Sequence, residues 1–402
     1  MTLRTLLLGA AGACILAGGA AAQGFQNDGV KIGVLTDMSG TYSDIAGQGS
    51  VVAAQMAIED FGKQLNGKTV EVVSADHQNK ADISSATARQ WYDAEGVDAI
   101  FDLVTSATAL AVREVARERG KIDMVSGAAT TALTGKACSP TGFHWAYDTA
   151  ALANGTGGAT VKNGGDTWFF ITADYAFGHA LEADTSAVIE KDGGKVLGSV
   201  RHPFPNSDFS SFLLQAQASG AKVIGLANAG QDTTNAIKQA AEFGIVESGQ
   251  SLASLLMFIS DVHSLGLPAA QGLLLTTGYY WDLDDESRPF AKRFFDKTGK
   301  MPTMVHAGVY SSVLHYLKAV DAAGTDDGKT VAAKMHEMPV EDFFARNADL
   351  RVDGRLVHDM YLARVKKPED SKYPWDYFEI VTTIPGDQAY KPLSKDCPLV
   401  TQ

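Results

Sequence analysis

The sequence is short of cysteine, of basic charge and of long apolar runs, and each shortage closes off a class of function. Only three of its 402 residues are cysteines, too few for a disulfide-knit scaffold or a thiolate metal cluster. Lysine and arginine total 34 against 47 acids, for a net charge of −13. The acids are spread along the chain, which argues for solubility and against nucleic acid or an anionic membrane as a partner. Beyond residue 22 no stretch reaches the ~18 apolar residues of a membrane span. The nine histidines are scattered. His336, in "MHEMP", lacks the second histidine of a zinc helix, so no metal is expected.

Catalytic signatures are missing as well. There is no Gly-x-Ser-x-Gly elbow and no nucleophile spaced to meet a base, so the chain does not read as an enzyme. "AGTDDGKT" (323–330) comes near a phosphate loop. Its first glycine falls one place short, a helical pattern precedes it, and Asp326-Asp327 would repel phosphate. "DLDDE" (282–286) has no glycine, and Arg293 stands where a calcium loop closes with glutamate. "NGTGG" (154–158) lacks the third spaced glycine and reads as close packing. No cofactor is called for.

What is present begins with a leader. Arg4, the apolar run from Leu6 to Leu16 and the small residues Ala20-Ala21-Ala22 form a secretory signal peptide over residues 1–22. Cys14 has too poor a preceding sequence for a lipoprotein. Cys138 and Cys397 then remain, and in an oxidising compartment an even pair reads as one disulfide. It would tether the tail, 391–402, to a loop in the first third of the chain. Two separate buried thiols are the alternative.

From Val30 onward short apolar strands alternate with helical stripes. Strands are expected at 30–36, 69–76, 98–104 and 122–126, then again at 167–172, 195–202, 222–228 and 252–260. Such alternation predicts an α/β fold of two doubly wound parallel-sheet lobes. Ligands of these sheets bind beyond the strands' carboxyl ends, where helix N-termini offer free N–H groups. Six loops lie there: Thr36–Tyr42, "TSAT" (105–108), "SGAATT" (126–131), "TADYAFG" (172–178), "LANAGQ" (226–231) and "ISDVHS" (259–264). Any one of them reads as ordinary helix capping. Together they describe a binding site for a carboxylate.

Several stretches carry a resemblance: "VKIGVLTDMSGTYSDIAGQGSVVAAQMAIEDF", "MVSGAATTALT", "DYAFG", "DFSSFLLQAQASGAKVIGLANAG" and "GVYSSVLHYLKAVDAAGT". The chain resembles the periplasmic solute-binding proteins of ATP-binding-cassette importers, of the leucine/isoleucine/valine-binding type. The resemblance implies a three-strand hinge, crossed near Tyr147, Thr277 and Phe344. Lobe 1 is then 28–147 plus 278–344, and lobe 2 is 148–277 plus 345–390. It places the ligand carboxylate on Thr105, Ser106, Ala128 and Thr130. Phe177, or Tyr175 beside it, forms a lid, and Asp261 lies nearest the acid that holds an amino acid's ammonium. Relatives carry an aromatic pair where this chain has Asn228-Ala229, and commonly Tyr and Glu where it has Phe177 and Asp261. The length and "TTGYYWDLDD" (276–285) look closer to members that take up aromatic carboxylates. Tyr42, Trp145, Phe177, Tyr279 and Trp281 are candidates for an aromatic cleft or for the core. His144, His179 and His263 are candidates to approach that cleft, with surface or core as the commoner fate. The expectation is a monomeric periplasmic protein that delivers an amino acid or aromatic acid to an inner-membrane permease. A soluble sensor of the same fold is the alternative.

Overall fold

The computed structural model describes residues 24–25, 29–62, 64–65 and 67–400. The expected leader lies outside them. Strands β1 (Gly29–Thr36), β2 (Gln64–Leu65), β3 (Lys68–Asp76), β4 (Ala99–Asp102), β5 (Ile122–Val125) and β6 (Gly142–His144) form one sheet in the order β2-β3-β1-β4-β5-β6. Only the β2–β3 pairing is antiparallel. Helices α1 (Gly47–Phe61), α2 (Ala81–Asp93) and α3 (Ser106–Arg119) connect these strands. β4 and β5 are buried along their whole length, which is why "AIFD" and "IDMV" are mostly apolar rather than alternating.

The chain then passes through α4 (Thr149–Leu152), a π-helical turn (Ala153–Gly157) and α5 (Gly158–Lys162) into a second sheet. Here β7 (Thr167–Ala173), α6 (Ala176–Lys191), β8 (Lys195–His202), α7 (Ser210–Ala218), β9 (Val223–Ala227), α8 (Gln231–Glu242) and β10 (Ser251–Ser254) build the parallel order β10-β9-β7-β8. The expected strand 252–260 is cut short, because its partner β9 ends at Ala227; β10 stops at Ser254 and α9 (Ile259–Leu265) begins after residues 255–258. Residues 255–259 are apolar because they are buried, not because they are strand. "NGTGG" is indeed close packing: a Cβ at Gly155 would stand 2.2 Å from Thr276 Oγ1.

After α10 (Leu267–Ala270) and β11 (Leu274–Thr277), helices α11 (Ser287–Thr298), α12 (Met304–Ala323) and α13 (Gly328–Glu337) return to the first sheet. Arg293 on α11 grips Asp60 on α1 through two hydrogen bonds of 2.7 and 2.8 Å. The last elements are β12 (Asp349–Leu350), β13 (Leu356–Val357), β14 (Met360–Val365), β15 (Phe378–Ile384) and α14 (Gly386–Ala389). β11, β14 and β15 form a small antiparallel sheet beside the π-helical turn.

Buried cations brace the framework. Arg355 donates to the Trp145 and Tyr147 carbonyls at 2.7 and 3.0 Å, where the chain leaves the first sheet. Arg113 on α3 pairs with Asp123 on β5 at 2.7 Å and donates to the Leu133 and Phe143 carbonyls at 2.8 and 3.1 Å. Cys138 and Cys397 are bonded across 259 residues, which joins the tail to the first lobe. Arg113→Ala leaves Asp123 buried and unpaired, and should cost about 3–5 kcal/mol of unfolding free energy in urea. The double change Arg113→Met with Asp123→Leu should recover most of it. A wild-type urea midpoint for the single variant would contradict this role.

Candidate functional site

The carboxyl edges of the two parallel sheets face each other, and the site lies between them. The first loop owes its shape to Asp37. Its carboxylate accepts from the N–H groups of Gly40 and Tyr42 at 2.7 and 2.9 Å and from Asn79 Nδ2 at 2.6 Å. That fold carries the Tyr42 ring to the second lobe. There its hydroxyl shares a 2.7 Å hydrogen bond with the hydroxyl of Tyr175. Phe204, on the loop after β8, stacks on both rings at 5.2 and 4.6 Å. Burial, foremost, raises the pKa of both phenols, so they meet as neutral groups.

Behind this gate is a small cavity of about 10 Å³, room for about one water. The first lobe contributes Tyr42, Val104, Ser106, Gly127, Ala129 and Tyr147, and the second Tyr175, Phe177, Ala229 and Leu256. None of these side chains is charged. A larger solute enters only when the lobes part. The lobes touch closely at Gly230, which precedes α8 with φ 59° and ψ −134°, a backbone for glycine. A Cβ there would stand 2.7 Å from the Thr41 carbonyl oxygen of the other lobe.

Four of the residues singled out in the sequence meet at the cavity: Tyr42, Ser106, Tyr175 and Phe177. Both lid candidates face it, their rings 5.9 Å apart. Thr105 does not line the cavity, and its hydroxyl is 2.7 Å from that of Thr108. It caps α3 without a side-chain bond to the helix, so the first-turn amides stay free. Ser106 Oγ accepts from the Thr130 N–H at 3.2 Å and joins two loops. Thr130 caps a short 3₁₀ turn, accepting from the Ala132 N–H at 3.4 Å. Ala128 is held by its carbonyl, which accepts from His144 Nε2 at 2.8 Å. Its neighbour Ala129 is the one that lines the cavity.

Asn228 faces its own lobe: Nδ2 lies 3.1 Å from His202 Nε2, and Oδ1 accepts from Thr233 at 2.7 Å. Ala229 takes the place at the cavity. Asp261 Oδ2 accepts from the Phe258 N–H at 2.8 Å and caps α9. Burial pushes its pKa up to about 7, and its charge acts on Tyr147 at the cavity wall. Trp145, Tyr279 and Trp281 pack in the hydrophobic interior. His179 pairs with Asp174, and His263 stacks on Trp375 at 3.9 Å.

The sequence reading missed Tyr147, Phe204 and Leu256. Phe204 carries the same positional signal as the other loops, since it follows a parallel strand. Tyr147 drew notice only as a crossing point.

Two α/β lobes closed over an uncharged cavity, with hydroxyls and free helix amides on its rim, define a solute-binding clamshell. The chain belongs to the periplasmic binding protein family, whose profile matches residues 29–372. A crystal structure of a periplasmic binding protein from Burkholderia mallei is 55% identical, with a TM-score of 0.91 over 93% of this chain and 100% of that one. A branched-chain amino acid ABC transporter periplasmic ligand-binding protein from Burkholderia xenovorans LB400 is 44% identical, with a TM-score of 0.80 over 90% and 97% of the two chains. The Leu/Ile/Val-binding protein homolog 6 of Brucella melitensis is 26% identical over 364 residues, 88% of this chain and 92% of that protein. No described helix is long and apolar enough to cross a membrane.

Gly230→Ala should hold the lobes apart, and small-angle scattering should then give a larger radius of gyration than wild type. Identical scattering curves would show that the lobes do not meet at this glycine in solution.

Proposed function

We propose that the protein captures a small carboxylate with a hydrophobic, preferably aromatic, body between its lobes and delivers it unchanged to an inner-membrane ABC permease. The observation that carries this reading is the cavity itself: aromatic and aliphatic walls from both lobes, closed over Ser106 and the free first turn of α3. Charge-assisted bonds from a hydroxyl and amides suit a carboxylate, and four aromatic rings suit a flat body. Residues 28–147 plus 278–344 move against 148–277 plus 345–390, with the crossings near Tyr147, Thr277 and Phe344 as hinge. The leader, 1–22, is removed on export, and the mature chain acts as a monomer. Contacts made by the solute with both lobes shift the population toward the closed form.

A branched-chain amino acid is the second reading, favoured by the name of the Burkholderia xenovorans relative and by Asp261 near Tyr147. It requires Asp261 to turn from its helix cap to an ammonium. A soluble sensor with the same clamshell differs only in its partner. Loss of labelled-solute uptake on deletion of the gene supports transport, and intact uptake removes it.

A thermal-shift comparison of benzoate- and cinnamate-type acids with leucine tests the solute class, since a specific binder raises the melting temperature. Ser106→Ala should weaken the bound acid by about 1.5–3 kcal/mol, roughly ten- to 150-fold in Kd. Asp261→Asn should cripple amino-acid binding and spare a plain acid. Undiminished affinity in Ser106→Ala would place the carboxylate elsewhere.

A further inference from the structure

Behind the cavity wall lies a buried carboxyl. Asp102 ends β4 and is fully buried. The hydroxyls of Thr36 on β1 and Ser50 on α1 are directed at it and favour its charged form. The Ser126 N–H donates to the Asp102 carbonyl at 3.0 Å. Gly127 and Val104 stand between this acid and the cavity. A Cβ on Gly127 would lie 2.7 Å from Asp102 Oδ1, and Gly127 itself lines the cavity.

Asp102 and Leu103 both have left-handed backbones, φ 77° and 57°, rare for residues with a side chain. That turn aims the acid inward and sends the chain on to Thr105 and Ser106. The titratable groups that act with Asp102 are Asp37, on the loop after β1, and Tyr147, beyond Gly127. Burial, with Asp37 adding to it, pushes the Asp102 pKa up to about 6. Two further buried acids attend the cavity from the second lobe. Asp261 on α9 acts on Tyr147, and Asp232 on α8 acts on Tyr42 and Tyr175.

Residues 103–105 alone separate Asp102 from the first turn of α3, so an anion held there would lie near it. For a separation of about 7 Å and an effective dielectric of about 20, two like charges disfavour each other roughly fifty-fold. We propose that Asp102 couples capture to a proton: the site closes on a bare carboxylate only with Asp102 neutral, so each anion is taken up with as much as one proton. This rests on the plain-acid reading above. Below about pH 6 the acid is already neutral in the free protein and no proton is taken up. Between about pH 6 and pH 8 the free protein has lost the proton, capture takes most of one back, and affinity falls by as much as about sixfold per pH unit.

The test is isothermal titration calorimetry with benzoate, in pairs of buffers that differ in ionisation enthalpy. Wild type should take up about three quarters of a proton at about pH 7 and almost none at about pH 5. Asp102→Asn should abolish the uptake and flatten the pH dependence of affinity. Asp261→Asn and Asp232→Asn should keep both. Should Asp102→Asn fail to fold, Thr36→Val still reports, because losing the hydroxyl beside the charge should move the onset of uptake to higher pH. Benzoate binding without proton uptake overturns the proposal, as does full uptake in Asp102→Asn. So does a coupling that vanishes when sodium is replaced by choline, since a metal cation would then be the neutralising partner. Failure of benzoate to bind at either pH removes the plain-acid reading itself and this inference with it.

Discussion

An α-helix cannot satisfy the amides of its own first turn, and the arrangement of this cleft follows from that constraint. At some helix starts a side chain fills the gap, as Asp148 does for α4, Thr303 for α12 and Asp327 for α13. α3, α6 and α8, which begin at the cleft, are among the helices without such a cap. Their free amides, and the partial positive charge of each helix end, are left for an acceptor from outside. Aromatic rings line the cavity beside them, which lowers the local dielectric and strengthens any hydrogen bond made there.

Rigidity around the cleft serves that arrangement. Arg113 ties α3 to β5 and to the loop that bears Thr130, while Arg355 and His358 grip residues 145–147 at the first crossing. At the cleft the lobes meet through the shared phenol hydrogen bond, ring contacts, a glycine against a carbonyl and a 3.3 Å hydrogen bond from Thr131 Oγ1 to Asp184. Moving from mostly open to mostly closed takes a differential affinity of about 10⁴, or roughly 5.5 kcal/mol. A few charge-assisted bonds and one stacked ring suffice for that.

The fold was largely legible in the sequence because its signals are collective. Buried parallel strands read as Val, Ile and Phe runs, and α1 shows Val51, Ala54 and Ile58 on one buried face. Such periodicity survives errors at single positions. The exception is β10, where an apolar run continues past the strand because the lobes bury it. Counting alone found the Cys138–Cys397 bridge. Five of the six loops marked by their place after strands line the cavity, while "ISDVHS" does not, and the Phe204 loop went unmarked. Which residue of each loop faces the cavity was not readable. Ser106 rather than Thr105, Ala129 rather than Ala128, and Ala229 rather than Asn228 line the cavity. The side-chain direction at a strand-to-helix turn depends on dihedrals such as those of Asp102 and Leu103, which no periodicity encodes. From the loop after β8, Phe204 stacks on two tyrosines; that loop has the same place after a parallel strand as the others, but nothing local marked the contact.

A crystal structure with a bound hydrophobic acid examines the central claim most directly. The carboxylate should lie about 2.7–2.9 Å from first-turn amides of α3 or from Ser106 Oγ, with its body between Tyr147 and Phe177 and the Tyr42–Tyr175 gate shut over it. An acid found outside the interlobe gap, with those amides still facing solvent, would contradict the account.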